Sequence, residues 1–281
     1  MVQQSTASFT RAHEGRGTTV PEDLAKELLA VEERIAGSKV ERKIAAFDLD
    51  NTLLVGDIGE AVFASLKQKG YIPGFAWGSY RKLLVSNKAE AYCSVVRAMS
   101  GLPERTVHNV TLDLLGRRND VLELEKSFIP VPFPHPGMVS FVDQLRTLGY
   151  QICVISASNE ISARLAAWKF FSIPPSYVHG IRQGEQSGIL TIELRQPLPI
   201  GRGKVEVYRK FVGAIDPLVS AGDSIFDVPL LQLTEPRGMS IWVGEEKGGY
   251  ESIRQKIGAD RNVRFLLRPP QLQFDEKGLD S

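Results

Sequence analysis

The sequence predicts an α/β fold, a doubly wound and mainly parallel sheet with an α-helical cap inserted into it. Three observations carry that prediction. Short apolar runs of strand length recur at residues 44–47, 151–155, 217–221 and 239–243. Helical spacing alternates with them over residues 137–148, 160–171, 204–213 and 250–257. The first three runs end in polar residues, at Asp48, at Ser156 and at Gly222-Asp223. Strand and helix alternating in this way imply right-handed βαβ units and a Rossmann-like open sheet, whose ligands bind at the carboxyl ends of the strands.

Residues 1–40 read as a flexible tail followed by a leading helix: the first 18 are polar and aperiodic, then Leu24, Leu28, Leu29 and Ile35 recur at helical spacing ahead of Gly37. The apolar stripe of that helix requires a cover, from its own core or from a second copy. Residues 41–55 and 130–265 form the expected core. Residues 56–129 show helical periodicity and turns but no evident strand, with Leu66, Val95, Val96, Met99, Val107, Leu114 and Leu115 as apolar faces, and are assigned to the cap. The Pro-rich residues 130–136 read as a return linker, residues 181–194, with Gly184 and Ser187-Gly188 in the middle, as a β-hairpin, and residues 266–281 as a C-terminal tail.

The 281 residues suffice for two domains or for one α/β domain with a large insertion, and 43% hydrophobic content supplies a real core. The 34 basic and 33 acidic residues leave a net charge of +1, so neither nucleic acid nor an anionic membrane is an expected partner. A charged substrate has to be captured locally. Cys93 and Cys153 make no disulfide framework, and no signal-like or membrane-length apolar run occurs, which points to a soluble, cytoplasmic protein.

Asp48-Leu49-Asp50-Asn51-Thr52 places two carboxylates two residues apart where a buried strand runs into a loop. That suits a carboxylate nucleophile with an acid/base partner, or else a strand-end turn. Three further segments follow: Ser156-Ala157-Ser158, Lys204 at a helix start, and Asp223 with Asp227 in Gly222-Asp223-Ser224-Ile225-Phe226-Asp227. Singly, each has a structural alternative, Ser156 as a helix cap, Lys204 as a solvated cation, and the acids as turn and cap residues.

Together and in order, the four segments resemble the four motifs of the haloacid dehalogenase superfamily, over about residues 41–260. A helical cap between the first and second motifs looks like the phosphoserine-phosphatase-like branch. The resemblance implies a Mg²⁺-dependent phosphatase that hydrolyses a small phosphomonoester through an aspartyl-phosphate. Asp48 would be the nucleophile and Asp50 the acid/base, with Ser156, Ala157 and Lys204 on the phosphate. Mg²⁺ would sit on the Asp48 and Asp223 carboxylates and the Asp50 carbonyl, with Asp227 as a supporting acid. A phosphotransferase of the same fold and a catalytically silent binding or regulatory protein are the alternatives.

For the substrate, Asp57 matches the position of an acid that contacts an amine in phosphoserine phosphatases, and Glu60 follows one turn later. Both equally fit helix-N-terminal acids. The family's carboxylate-gripping Arg position falls on Val95, with Arg97 near but not matched. An amine-bearing substrate, phosphoserine, phosphoethanolamine or phosphocholine, is expected from this, and Phe75, Trp77, Tyr80 and Tyr92 would form either an aromatic cage or the cap's own core.

Overall fold

Two-sided burial organises the core. In β1 (Ile44–Phe47) all four side chains are buried, Ala45 and Phe47 in one apolar cluster and Ile44 and Ala46 in another. A strand is apolar at every position when helices cover both faces of its sheet. This computed structural model describes residues 20–38, 40–117, 120–245 and 249–269. The expected tail at residues 1–18, and the part of the C-terminal tail beyond residue 269, lie outside the described residues.

Helix α1 (Glu22–Ile35) precedes β1, and β2 (Leu54–Val55) leads into α2 (Ile58–Gln68), α3 (Trp77–Ser86), α4 (Lys88–Arg97) and α5 (Glu104–Leu115). A hairpin of β3 (Val121–Leu124) and β4 (Ser127–Pro130) follows, and β5 (Phe133–Pro134) returns antiparallel to β2. The chain continues through α6 (Pro136–Thr147), β6 (Gln151–Asn159), α7 (Glu160–Phe171) and β7 (Val178–Ile181). A second hairpin, β8 (Gln183–Gln186) and β9 (Ile189–Leu194), precedes α8 (Arg202–Phe211) and β10 (Val219–Gly222). Then come α9 (Val228–Gln232), β11 (Met239–Gly244), α10 (Tyr250–Ile257) and β12 (Val263–Leu267).

The main sheet has the order β12-β11-β10-β1-β6-β7, with every neighbouring pair parallel. The doubly wound α/β class read from the sequence is therefore the observed one. From β1 the chain goes to β6 on one side and reaches β10 on the other, which puts the switch point of the sheet, and its crevice, at the carboxyl end of β1.

Helices α2 to α5 stand over that end and share one continuous apolar cluster with the core. Thr111 of α5 meets Ser162 of α7, with 3.1 Å between the hydroxyls. The β8–β9 hairpin fastens the turn between α4 and α5: Gly101 N donates to Leu190 O (2.8 Å), Leu190 N to Leu102 O (2.9 Å) and Glu104 N to Gly188 O (2.9 Å). No helix among the described residues is long and apolar enough to cross a membrane.

Four sequence readings need correction. Residues 56–129 are not wholly helical, because β3 and β4 close them with a hairpin whose turn residues, Glu125 (φ 48°) and Lys126 (φ 64°), adopt the left-handed conformation usually signalled by Asn-Gly. The linker over residues 130–136 contains β5. Strand β7 was not foreseen, being four residues with a Gly in the middle. Residues 266–281 are not all tail, since Leu266 and Leu267 complete β12 at the edge of the sheet.

The leading helix is covered by its own core, through Leu24, Leu28, Val31 and Ile35. Glu27, on the same helix, accepts hydrogen bonds from Arg34 (2.8 Å), Asn262 (2.6 Å) and Arg264, tying α1 to the last strand. Burial alone would raise its carboxyl, but these donors outweigh it and hold its pKa below the ordinary 4.5. A depressed carboxylate stabilises the fold above its unfolded pKa and loses that contribution as pH falls through the folded one. Glu27→Gln is therefore expected to cost about 1–2 kcal/mol at pH 7. In urea melts the gap from wild type should narrow as the pH is lowered past 4.5; a gap that stays constant with pH would refute the ionic role.

Candidate active site

Asp48 directly follows β1, and its N–H still donates to Ala221 O of β10 (3.0 Å), so the sheet itself carries the carboxyl to its carboxyl edge. Asn51 then turns the chain at φ 57°, a conformation Asn tolerates better than most side chains. The loop closes through Asn51 N to Gly56 O (3.1 Å) and Gly56 N to Asn51 Oδ1 (3.3 Å). Asp48 and Asp50 thereby line one cleft, together with Ala157, Lys204 and Asp223. Thr52, fully buried, donates its hydroxyl to Asp48 Oδ2 at 3.3 Å and stands 3.5 Å from Asp223 Oδ1.

Helix α8 delivers Lys204, only 2% exposed, with Nζ 2.5 Å from both Asp48 Oδ1 and Asp227 Oδ1. It is not a solvated surface cation. Burial works against its charge, but the two carboxylates outweigh that and raise its pKa above the ordinary lysine value. The second oxygen of Asp227 receives Asp223 N (3.2 Å), Ser224 N (2.8 Å) and Ser224 Oγ (2.8 Å), so this acid holds both the lysine and the loop. The loop packs so closely that a Cβ on Gly222 would lie 2.3 Å from the Asp227 Cβ, which only glycine permits.

Asp48, Asp223 and Asp227 can each bring one carboxylate oxygen within 4.8 Å of the others. An all-oxygen set of this kind matches a hard divalent cation. Asp227 gives one oxygen to Lys204 and the other to three donors, whereas Asp48 Oδ2 and Asp223 Oδ1 meet only the Thr52 hydroxyl, at 3.3 and 3.5 Å, so Asp48 and Asp223 are the better placed to hold one. Burial, with the neighbouring acids, pushes Asp48 up to about 7 despite Lys204, and lifts Asp223 well above the usual carboxylate range. A bound cation reverses that crowding by favouring the ionised forms.

Asp50 is held at both oxygens. Ile58 N, at the start of α2, donates to Oδ1 (2.7 Å); Ser156 Oγ (3.0 Å) and Ser158 Oγ (2.7 Å) donate to Oδ2. Burial and the charge of Asp57 raise its pKa to about 7, and those three donors keep it from rising further. Ser156 does not cap α7; that task falls to Asn159, which accepts Ile161 N at 3.0 Å. Strand β6 continues irregularly past Ser156, which sets Ser158 beside Asp50, a contact the sequence reading did not assign.

The cap residues divide. Asp57 caps α2 by accepting Glu60 N (2.9 Å), as a helix-N-terminal acid does, and it also walls the cleft. Glu60 lines the adjoining cavities and accepts the Tyr80 hydroxyl at 2.8 Å. Burial, with the charge of Glu60, lifts Asp57 to about 7, and burial raises Glu60 as well. Val95 is buried on the wall beside them. Arg97 is turned away, pairing with Glu90 at 2.6 Å, and lines none of these cavities. Phe75, Trp77 and Tyr80 pack around Phe63, with ring centroids 5.1, 5.8 and 6.3 Å away, as cap core and not as a cage. Of the four aromatics only Tyr92 lines the catalytic cleft, beside Phe226 and Lys88. Lys88, and Arg268 on the adjoining cavity, were not foreseen from the sequence.

A family model for haloacid dehalogenase-like hydrolases matches residues 45–232. No curated protein is similar enough to count as a match. Among solved structures, a protein of unknown function from Anaerococcus prevotii superposes with a TM-score of 0.64 at 16% identity, covering 89% of this chain and 93% of that one. A protein of unknown function from Bordetella pertussis Tohama I gives 0.56 at 18%, covering 79% and 98%. A phosphoserine phosphatase solved as a phospho-aspartyl intermediate analogue gives 0.52 at 15%, covering 81% and 94%. At these identities the likeness is one of fold. The family match, by contrast, takes in most of the chain and every motif segment from Asp48 to Asp227, and the chain belongs to the haloacid dehalogenase-like hydrolases.

Proposed function

We propose that this hydrolase is a Mg²⁺-dependent phosphatase of small phosphomonoesters that works through an aspartyl-phosphate on Asp48. The observation that carries the reading is the pairing, in one cleft, of Asp48 on Lys204 with an Asp50 held at both oxygens by neutral donors. A nucleophile needs its carboxylate held and charged, and an acid/base catalyst works best with a pKa close to the operating pH.

In the first half-reaction an Asp48 oxygen forms a bond to phosphorus while the bond to the leaving oxygen breaks. Protonated Asp50 gives its proton to that oxygen, which departs as an alcohol. In the second, a water attacks the phosphorus, its proton passes to the Asp50 carboxylate, and the acyl-phosphate bond breaks to release phosphate and restore Asp48. Lys204 offsets the charge of Asp48 and of the incoming phosphoryl group, and the backbone at Ala157, on the cleft wall, and the Ser156 hydroxyl, which in this structure donates to Asp50, are the groups assigned to phosphoryl oxygens. Mg²⁺, on Asp48, Asp223 and the Asp50 carbonyl, would supply neutralisation of the phosphoryl oxygens. Asp57 and Glu60 support a leaving group that carries an amine, as in phosphoserine, phosphoethanolamine or phosphocholine.

Phosphate release from a panel of such esters is expected with Mg²⁺ and to vanish with chelator, and Asp48→Asn should lower it by more than about a thousandfold. Release that survives Asp48→Asn would exclude the aspartyl-phosphate route, and phosphate appearing on an added alcohol instead of water would mark a phosphotransferase.

Because Ser158 fixes the acid that protonates the leaving group, Ser158→Ala is expected to lose about tenfold more kcat/KM on an alkyl phosphate than on p-nitrophenyl phosphate, whose leaving group needs little protonation. Equal losses on both would mean that Ser158 serves folding or phosphate binding alone.

A further inference from the structure

A cavity of about 420 Å³ continues outward from the catalytic cleft, the two sharing Asn51, Asp57, Lys88 and Tyr92 as walls. If the phosphoryl group lies on Asp48, as the phosphatase reading on which this inference rests requires, the leaving group extends into that cavity. Two cations line it: Lys88, at the start of α4 in the cap, and Arg268, just past β12 in the core.

Lys88 has its charge to spare, whereas Arg268, which faces two carboxylates and donates Nη1 to Asn51 O (3.4 Å), has one donor to spare. Lys88 makes no ion pair among the described residues; its Nζ rests 5.7 Å from the Tyr92 ring centroid and 6.0 Å from that of Phe226. Cation–π contact of this kind holds an ammonium in place without neutralising it. Arg268 is only 13% exposed at its side chain, with Nη2 on Glu245 (2.6 Å) and Nη1 3.5 Å from Asp223. Its Nε is buried without a hydrogen-bond partner among the described residues. A buried donor left unpaired is costly, so an acceptor supplied by a ligand is worth more there than at the surface. The acids on the same cavity are Asp57, Glu60 and Glu245, and each already accepts a hydrogen bond from a group of the protein.

We propose that Lys88 and Arg268 form a subsite for a second anionic group, a carboxylate or a further phosphate, on the leaving part of the phosphomonoester. The cap and the last strand of the core each provide one cation, so the subsite is complete only when the cap lies over the sheet.

The test is calorimetric binding to the Asp48→Asn protein with Mg²⁺, using pairs of esters matched except for the second anion: 2-phosphoglycolate against ethyl phosphate for a carboxylate, and fructose 1,6-bisphosphate against fructose 6-phosphate for a phosphate. At least one pair is expected to show about tenfold tighter binding of the doubly anionic member. Lys88→Met should erase most of that preference and Lys88→Glu invert it, and Arg268→Lys should reduce it. Equal affinities within both pairs would overturn the subsite. So would a Lys88→Met protein that weakens both members of a pair alike, which would assign the lysine to the phosphoryl group itself. Phosphate release by the unmutated protein is read separately: no turnover alongside an intact Lys88-dependent preference would refute the phosphatase reading and leave the subsite standing.

Discussion

The buried ammonium of Lys204 between Asp48 and Asp227 is the interaction on which the rest of the molecule depends. Three charges taken out of water together are tolerated only if each has close partners, and removing one member of such a group costs about 3–5 kcal/mol. Here the partners come from three separate places: the end of β1, the first turns of α8, and the loop after β10. The parallel sheet is what allows this, since all its strands end on the same side and their following loops converge. Thr52 and Ser224 then take up lone pairs that the lysine leaves free. The site is thus built as a single electrostatic unit.

That same unit is the physical argument for the proposed cation. Asp48, Asp50, Asp57 and Asp223 are all pushed up from the ordinary carboxylate range, chiefly by burial and then by one another. One lysine cannot balance them, and a phosphate entering the cleft would meet a surplus of acid. The donor set, carboxylates and backbone oxygen without sulfur or imidazole, suits magnesium better than zinc. The two central acids are separated by environment: Asp48 is paired with a lysine, whereas Asp50 is held only by neutral donors. That difference in partners supports the proposed division into nucleophile and acid/base.

Much of this was legible in the sequence because the chemistry sits at strand ends, and buried parallel strands write themselves as short apolar runs. Asp48, Asp50, Ser156, Lys204, Asp223 and Asp227 could all be singled out from their order and context. What escaped notice shares a physical cause, namely dependence on groups distant in the chain. Ser158 reaches Asp50 only because β6 runs on irregularly past its apolar stretch. The β3–β4 turn carries Glu and Lys at positive φ where Asn or Gly would have announced it. Strand β12 offers five residues at the edge of the sheet, too short a pattern to stand out from a tail, and with it Arg268 was lost. Lys88 has no local signal at all, since its importance comes from where α4 lies. Arg97, two turns further along the same helix, was the cation that sequence alignment drew attention to, and it points to Glu90 instead.

The two kinds of residue also differ in how they are anchored. Asp48, Lys204, Asp223 and Asp227 meet where strands β1 and β10 end and α8 begins, while Asp50 also takes a hydrogen bond from Ile58 N at the start of α2. The groups that meet the leaving part are split: Asp57 and Glu60 sit on α2, which packs into the core cluster, Lys88 and Tyr92 on α4, and Arg268 on the edge of the sheet. The turn after α4 exchanges three backbone hydrogen bonds with the β8–β9 hairpin, while Lys88 lies at the beginning of the helix, next to its Asn87 cap. The groups proposed to select the substrate therefore line the outer cavity and those proposed to carry the chemistry its inner end, with Asn51, Asp57, Lys88 and Tyr92 walling both.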